Sequence, residues 1–107
     1  MPINKQDTIC APATIPGTGA ISVIRLSGPE ALSIADKVVT CSGTPLSSTD
    51  GYRIRYGTVL DNDGETVDNV LVSVFRAPHS YTGEDSAEIS CHASGYIVQT
   101  ILSLLLD

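Results

Sequence analysis

The sequence has no tryptophan, one phenylalanine, one methionine and only six lysine and arginine residues among its 107. Twelve acidic residues outnumber the basic ones, and the formal net charge is −6. A protein that grips a nucleic-acid backbone needs clustered Lys and Arg, and here only Arg53 and Arg55 lie close together. The composition therefore argues against nucleic-acid binding by this segment alone.

Cysteines and long apolar runs are also scarce. Cys10, Cys41 and Cys91 are odd in number and widely spaced, and no CxxC pair occurs. This disfavours a disulfide framework or a zinc site and favours a reducing, cytoplasmic compartment. The N-terminus has no signal-peptide pattern, and the apolar run at 101–106 is too short to cross a bilayer. With 42% hydrophobic residues, the chain is predicted to be a globular domain without a membrane segment.

No phosphate-binding string is present. A Walker loop reads GxxxxGK followed by Ser or Thr, and the sequence contains no match. Gly17 and Gly19 lie in a predicted loop at 14–19, but a strand follows them and no third glycine completes a dinucleotide fingerprint. Two interpretations stay open for these glycines: a tight turn that needs their backbone freedom, or a loop that contacts a ligand.

Periodicity predicts an α+β fold with the order β-β-α-β-β-β-α and a mostly antiparallel or mixed sheet. The Asp-Gly pair that ends the sequence DNDG predicts a hairpin between the third and fourth strands. A polar loop is predicted at 41–51. The chain ends inside a helical apolar pattern without a stop signal, so the natural protein is expected to be longer. The strands are predicted at 7–13, 20–27, 52–60, 65–75 and 86–91, and the helices at 29–39 and 95–106.

Two charged residues fall where strand alternation requires an explanation. Arg25 shares a strand face with Ile21 and Val23, although that strand is predicted to be buried on both faces. Its guanidinium cannot lose its charge and needs an acceptor. Glu88 lies on the polar face of the last strand, opposite a core face that includes Cys91. The two charges either pair with each other inside the fold or line a pocket; Glu88 could alternatively face solvent.

Other polar residues near Glu88 give no catalytic pattern. His79 and His92 are 13 positions apart and separated by a strand, which does not support a two-histidine metal site. No GxSxG nucleophile elbow is present. Cys91 is predicted to face the core and to be chemically inert. Glu84 and Asp85 are too generic to identify a reaction, and no catalytic residue is assigned.

Two stretches together resemble a known family. PGTGAISVIRLSGPEAL, at 16–32, and RAPHSYTGEDSAEISCH, at 76–92, closely resemble the hallmark stretches of the N-terminal domain of the MnmE/TrmE family of tRNA-modifying GTPases. The resemblance covers essentially the whole chain. It departs at Thr18, where the family usually has Arg or Ser, and at 90–94, where SCHAS replaces HCHGG.

The resemblance implies that residues 1–107 form a tetrahydrofolate-binding, dimerising domain, with the helical and GTPase domains absent. It implies that Arg25 and Glu88 contact a tetrahydrofolate derivative, either 5-formyl- or methylene-tetrahydrofolate. Tyr81 is then expected to stack on or cap the ligand, and the loop with Gly17 and Gly19 to approach it closely.

The resemblance also implies a setting for the longer protein. That protein would be a GTP hydrolase that uses GTP, Mg²⁺ and K⁺ outside this segment. With an FAD-dependent partner protein it would support carboxymethylaminomethyl modification of the tRNA wobble uridine. The segment itself is expected to form a homodimer and not to bind tRNA alone. The alternative is a dimerisation scaffold without a ligand site, in which Arg25 and Glu88 are paired only with each other.

Overall fold

The computed structural model describes residues 8–12, 20–80 and 83–106. Within them lies one six-stranded sheet with the spatial order β1-β2-β6-β5-β4-β3. Every neighbouring pair in this sheet is antiparallel, which confirms the predicted α+β class. The strands are β1 (Ile9–Pro12), β2 (Ile21–Ser27), β3 (Val39–Cys41), β4 (Arg53–Leu60), β5 (Thr66–Phe75) and β6 (Ser86–His92), and the helices are α1 (Ala31–Val38) and α2 (Gly95–Leu106).

Both helices pack on the same face of the sheet, where they contact each other as well as β2 and β6, and each does so through one apolar stripe. In α1 the residues Ala31, Ala35 and Val38 are buried at helical spacing. In α2 the buried residues are Ile101 and Leu105. The second helix has the predicted bounds, whereas α1 begins two residues later than predicted. Pro29 lies instead in the preceding turn, which the backbone hydrogen bond from Ala31 N–H to the Gly28 carbonyl closes at 3.2 Å.

The predicted hairpin between β4 and β5 is confirmed. The Oδ1 atom of Asp61 accepts hydrogen bonds from the backbone N–H groups of Asp63 and Glu65, each at 2.9 Å. Gly64 has φ +80°, a conformation that a residue without Cβ adopts without strain. The Asp side chain and the glycine therefore fix the turn that the sequence signals.

The prediction of a polar loop at 41–51 is wrong at its first residue, because β3 follows α1 directly and includes Cys41. Val39 pairs with Val59, and Cys41 pairs with Gly57. A Cβ atom at Gly57 would lie 2.5 Å from Cγ1 of Val39, so the missing side chain lets β3 approach β4. The sequence-based element order lacked this short edge strand.

A 3₁₀ turn at Leu46–Ser48 interrupts the rest of that predicted loop. The carboxylate of Asp36 accepts hydrogen bonds from the backbone N–H groups of Leu46, at 2.6 Å, and Ser47, at 3.0 Å. Leu46 is fully buried. The Asp36 side chain of α1 thus anchors the turn, and Leu46 in that turn packs in the core.

The prediction that β2 is buried on both faces is wrong. Ile24 and Leu26 are buried under the helices, but Ile21 on the opposite face is 62% exposed. In the described part of the chain, both helices lie on the other side of the sheet. No helix in the described ranges is long and apolar enough to span a membrane.

Candidate functional site

The sheet face opposite the two helices, here called the open face, carries both charged residues predicted from alternation. Arg25 in β2 and Glu88 in β6 are direct cross-strand partners, although 63 residues separate them in sequence. Their neighbours on the same face, Ala11 in β1 and Ser73 in β5, have small side chains. The antiparallel register therefore brings the two residues together on an accessible surface.

Arg25 and Glu88 form a close ion pair. Nη2 of Arg25 lies 2.6 Å from Oε2 of Glu88, and Nε donates a hydrogen bond to the same oxygen at 2.8 Å. The side chains are 33% and 26% exposed, respectively. A guanidinium and a carboxylate in this geometry form charge-assisted hydrogen bonds. The geometry is compatible with both interpretations of the sequence. The two charges pair with each other, and both side chains are accessible enough to contact a ligand.

Three residues predicted at or near this site are not placed by the structure. Tyr81, Gly17 and Gly19 lie outside the described residues, as does Thr18. The stacking role of Tyr81 and the ligand-contacting role of the glycine loop stay predictions.

Arg76 and Asp85 form a second ion pair that the sequence analysis did not identify. Nη1 of Arg76 lies 3.3 Å from Oδ2 of Asp85, while the other guanidinium nitrogens donate to the backbone carbonyls of Thr49 and Ser47 at 3.0 and 2.7 Å. Asp85 also accepts a hydrogen bond from the Ala77 backbone N–H at 2.8 Å. These contacts tie the loop before β4 to the loop before β6, so we interpret this pair as structural.

Asp68 and His92 form a third pair that sequence reasoning missed. Nδ1 of His92 lies 2.8 Å from Oδ1 of Asp68, and the His92 backbone N–H donates to Oδ2 at 2.9 Å. Asp68 occupies a helix-side position in the alternation of β5, in register with the buried Val70 and Val72. A carboxylate at an inward position of an alternating strand is the signal that could have identified it.

The thiols are poorly suited to nucleophilic chemistry. Cys91 is 3% exposed and faces the helices, which confirms its predicted orientation. Burial raises the pKa of the Cys91 thiol, and the nearby Asp68 charge raises it further, against a smaller opposing effect of a backbone hydrogen bond. Burial also raises the pKa of Cys10 and of Cys41. A raised pKa keeps each thiol in its unreactive protonated form at neutral pH.

The surface grooves on the described residues include three that are lined by side chains other than Arg25 and Glu88. One, of about 610 Å³, runs between α1, the hairpin turn and the end of α2. Another, of about 230 Å³, lies between β1 and α2. The third, of about 300 Å³, lies on the open face beside His92.

These features define an antiparallel α+β domain with helices on one face of its sheet and a cross-strand arginine–glutamate pair on the other. The family model described as GTP-binding protein TrmE N-terminus matches residues 8–107. The chain therefore belongs to this family, as the two sequence stretches suggested.

Curated relatives named tRNA modification GTPase MnmE resemble the chain closely. The protein of Bacteroides fragilis is 53% identical and that of Parabacteroides distasonis 50% identical, each over 95% of the chain. The protein of Moorella thermoacetica is 49% identical over 94% of the chain. The chain spans only 22–23% of the length of these relatives. The similarity concerns the segment that corresponds to their N-terminal domain.

Proposed function

We propose that this domain binds a tetrahydrofolate derivative and dimerises, as part of a tRNA modification GTPase. The observation that carries the proposal is the Arg25–Glu88 pair on the open face, with both side chains partly accessible. Family membership supports it, because the relatives carry the name tRNA modification GTPase MnmE. No catalytic step is assigned to these residues themselves.

The geometry suggests different roles for Glu88 and Arg25 in binding a ligand. A carboxylate offers about four acceptor positions on its two oxygens, and Nη2 and Nε of Arg25 both contact Oε2 of Glu88. The carboxylate can therefore keep its arginine and also accept hydrogen bonds from the amino and ring N–H groups of a pterin. Arg25 would orient the carboxylate and face a ligand carbonyl or carboxylate. Tyr81 and the loop with Gly17 and Gly19 are proposed to complete the site.

Isothermal titration calorimetry with 5-formyl-tetrahydrofolate tests this site. We expect Glu88→Ala and Arg25→Ala each to weaken binding by about 10- to 100-fold, since hydrogen bonds to charged groups contribute about 1.5–3 kcal/mol. Glu65→Ala and Arg53→Ala are matched controls, because both residues are exposed and lie outside the pair. Wild-type affinity in both site variants would refute the assignment of the site.

A purely structural dimerisation scaffold is the second candidate. The direct 2.6 Å contact between Arg25 and Glu88 favours it, because each charge already has a partner. On this interpretation the same two variants lower the free energy of unfolding, and the calorimeter detects no folate binding by a folded wild-type chain. Measuring stability and binding on the same samples separates the two candidates.

Dimerisation is supported by a stripe of exposed apolar residues in β4 and in the turn directly before it. Tyr52, Ile54 and Tyr56 lie on the open face with exposures of 72%, 68% and 64%. Contiguous exposed apolar surface often marks a protein–protein contact. We propose that a second copy of the chain contacts this stripe through Tyr52 and Ile54.

Sedimentation equilibrium measures the effect of introducing a charge into the stripe. We expect wild type to sediment with twice the mass of one chain and Ile54→Lys to shift towards the monomer, because a buried ammonium without a partner is costly. Gln99→Lys, on the exposed surface of α2, is the control. An unchanged dimer in Ile54→Lys would place the contact elsewhere.

The remaining roles belong to the longer protein. We propose that GTP hydrolysis with Mg²⁺ and K⁺ takes place outside the 107 residues, in keeping with the missing Walker string. We further propose that tRNA and an FAD-dependent protein are partners of that longer protein, and that it works in the cytoplasm. The net charge of −6 argues that this domain does not hold tRNA by itself.

A further inference from the structure

Asp68 holds His92 by two contacts. The Asp68 side chain is 9% exposed, while the His92 side chain is 73% exposed. One carboxylate oxygen accepts the His92 backbone N–H at 2.9 Å, and the other lies 2.8 Å from Nδ1 of the ring. A largely buried carboxylate thus fixes both the backbone and the ring of a surface histidine.

This arrangement determines what the imidazole offers to a ligand. An ionised carboxylate only accepts hydrogen bonds, so the ring must donate its proton from Nδ1. In the neutral ring the other nitrogen, Nε2, then carries the lone pair and acts as an acceptor. The neutral ring, held by Asp68, therefore presents a hydrogen-bond acceptor at Nε2.

His92 is one of the residues that line a small groove with apolar walls. His92 is the cross-strand partner of Ile21, and the groove of about 300 Å³ is lined by both residues together with Tyr56, Leu71 and Ser90 among others. Ile21 and Leu71 are 62% and 48% exposed. Small-molecule sites commonly join apolar walls to a few placed polar groups, and their volumes begin near about 300 Å³.

We propose that this groove binds a neutral aromatic heterocycle whose ring N–H donates a hydrogen bond to Nε2 of His92. The apolar walls favour a flat hydrophobic ring, and the acceptor selects one that carries a donor. The carboxylate of Asp68 and the net charge of −6 disfavour an anion. The groove is at the lower end of the usual size range, which limits the ligand to one or two rings.

The site is distinct from the Arg25–Glu88 pair. His92 follows Glu88 by four residues on β6 and on the same face, a separation of about 13 Å along a strand. The proposal does not use Arg25 or Glu88, so its failure and the failure of the folate assignment can be told apart.

Indole and 1-methylindole are matched probes for this site, because they differ in the ring N–H. In NMR titrations of the ¹⁵N-labelled chain we expect indole to shift the backbone amides of Ile21, Leu71 and His92. We expect it to bind about 3- to 10-fold more tightly than 1-methylindole, the usual effect of one net hydrogen bond. The extra methyl group adds apolar area, so weaker binding of 1-methylindole would have to come from the lost donor.

His92→Phe keeps a ring but removes the acceptor, and His79→Phe is the control at the other histidine. The preference for indole should vanish in the first variant and persist in the second. Long-range ¹H–¹⁵N spectra of the neutral His92 ring should show the proton on Nδ1. Equal affinities in wild type, no shifts at the three amides, a preference that survives in His92→Phe, or a proton on Nε2 would each overturn the proposal.

Discussion

The two faces of the sheet are built from the same strands but carry different kinds of side chain. On the helix-covered face, Ile24, Val72, Val74 and Ile89 are completely buried. On the open face, neighbouring positions of β2 and β6 carry an ion pair and a histidine, and tyrosines are exposed in and next to β4. Alternation with a period of two residues therefore separates the core from the candidate sites within single strands.

This difference indicates that the open face is where binding sites of the domain are expected. The core of the helix-covered face is explained by packing, because the residues that fill it are apolar. The open face is not explained in that way, since exposed apolar side chains stand next to partly desolvated charges. Surfaces of this mixed kind are typical of binding sites.

The largest expected difference between the faces is in stability. Ile89→Ala should lower the free energy of unfolding by about 2–5 kcal/mol, because it removes buried methyl groups and leaves a cavity. Ser90→Ala, the next residue on the open face, should change it by no more than about 0.5 kcal/mol. Urea unfolding of the two variants measures both values. Similar losses in the two would show that the open face is packed as tightly as the core.

An intermediate effect on the free energy of unfolding is expected at Arg76, which joins the loop before β4 to the loop before β6. Arg76→Ala removes hydrogen bonds to two backbone carbonyls and to Asp85, and we expect a loss of about 1–3 kcal/mol. Arg53→Ala, at an exposed position, should cost much less. Thermal unfolding compares the two. If Arg76→Ala were as stable as Arg53→Ala, the interpretation of this pair as structural would be wrong.

The smallest effect concerns the pH dependence of the helix-covered face. Because burial raises the pKa of Cys91, the folded protein holds the thiol proton more tightly than the unfolded chain does. This stabilisation is complete below the ordinary thiol pKa of 9.0 and is lost as the pH rises through the folded-state pKa.

Urea unfolding of wild type and Cys91→Ala at several pH values between 8 and 10.5 isolates this contribution. The stability of wild type should fall more steeply with pH than that of the variant, because other titrating groups cancel in the difference. Parallel profiles would mean that the thiol titrates alike in the folded and unfolded chains.

Local patterns predicted much of the fold. Alternation in β6 placed Glu88 and His92 on one face and Cys91 on the other, and turn chemistry located the β4–β5 hairpin. The strand β3 was not predicted, because three residues directly after a helix give no periodic signal of their own. That strand depends on Gly57 in the next strand along the chain, because the missing side chain leaves the space that β3 occupies.

The candidate sites depended still more on tertiary structure. Sequence alternation marked Arg25 and Glu88 as charges that need partners, but it could not decide between pairing and pocket. The antiparallel register of β2 with β6 makes them neighbours. The Asp68–His92 pair was not predicted at all, because no local pattern relates two residues 24 positions apart.

The sequence by itself thus determined the family, the order of the main elements and which face each strand residue occupies. These properties follow from local propensities, from the two-residue period of strands and from motifs that can be read along the chain. Only the tertiary structure decided which charges meet, because strand register joins residues far apart in sequence. It also decided that one face of the sheet stays open, since that depends on both helices packing on the same side.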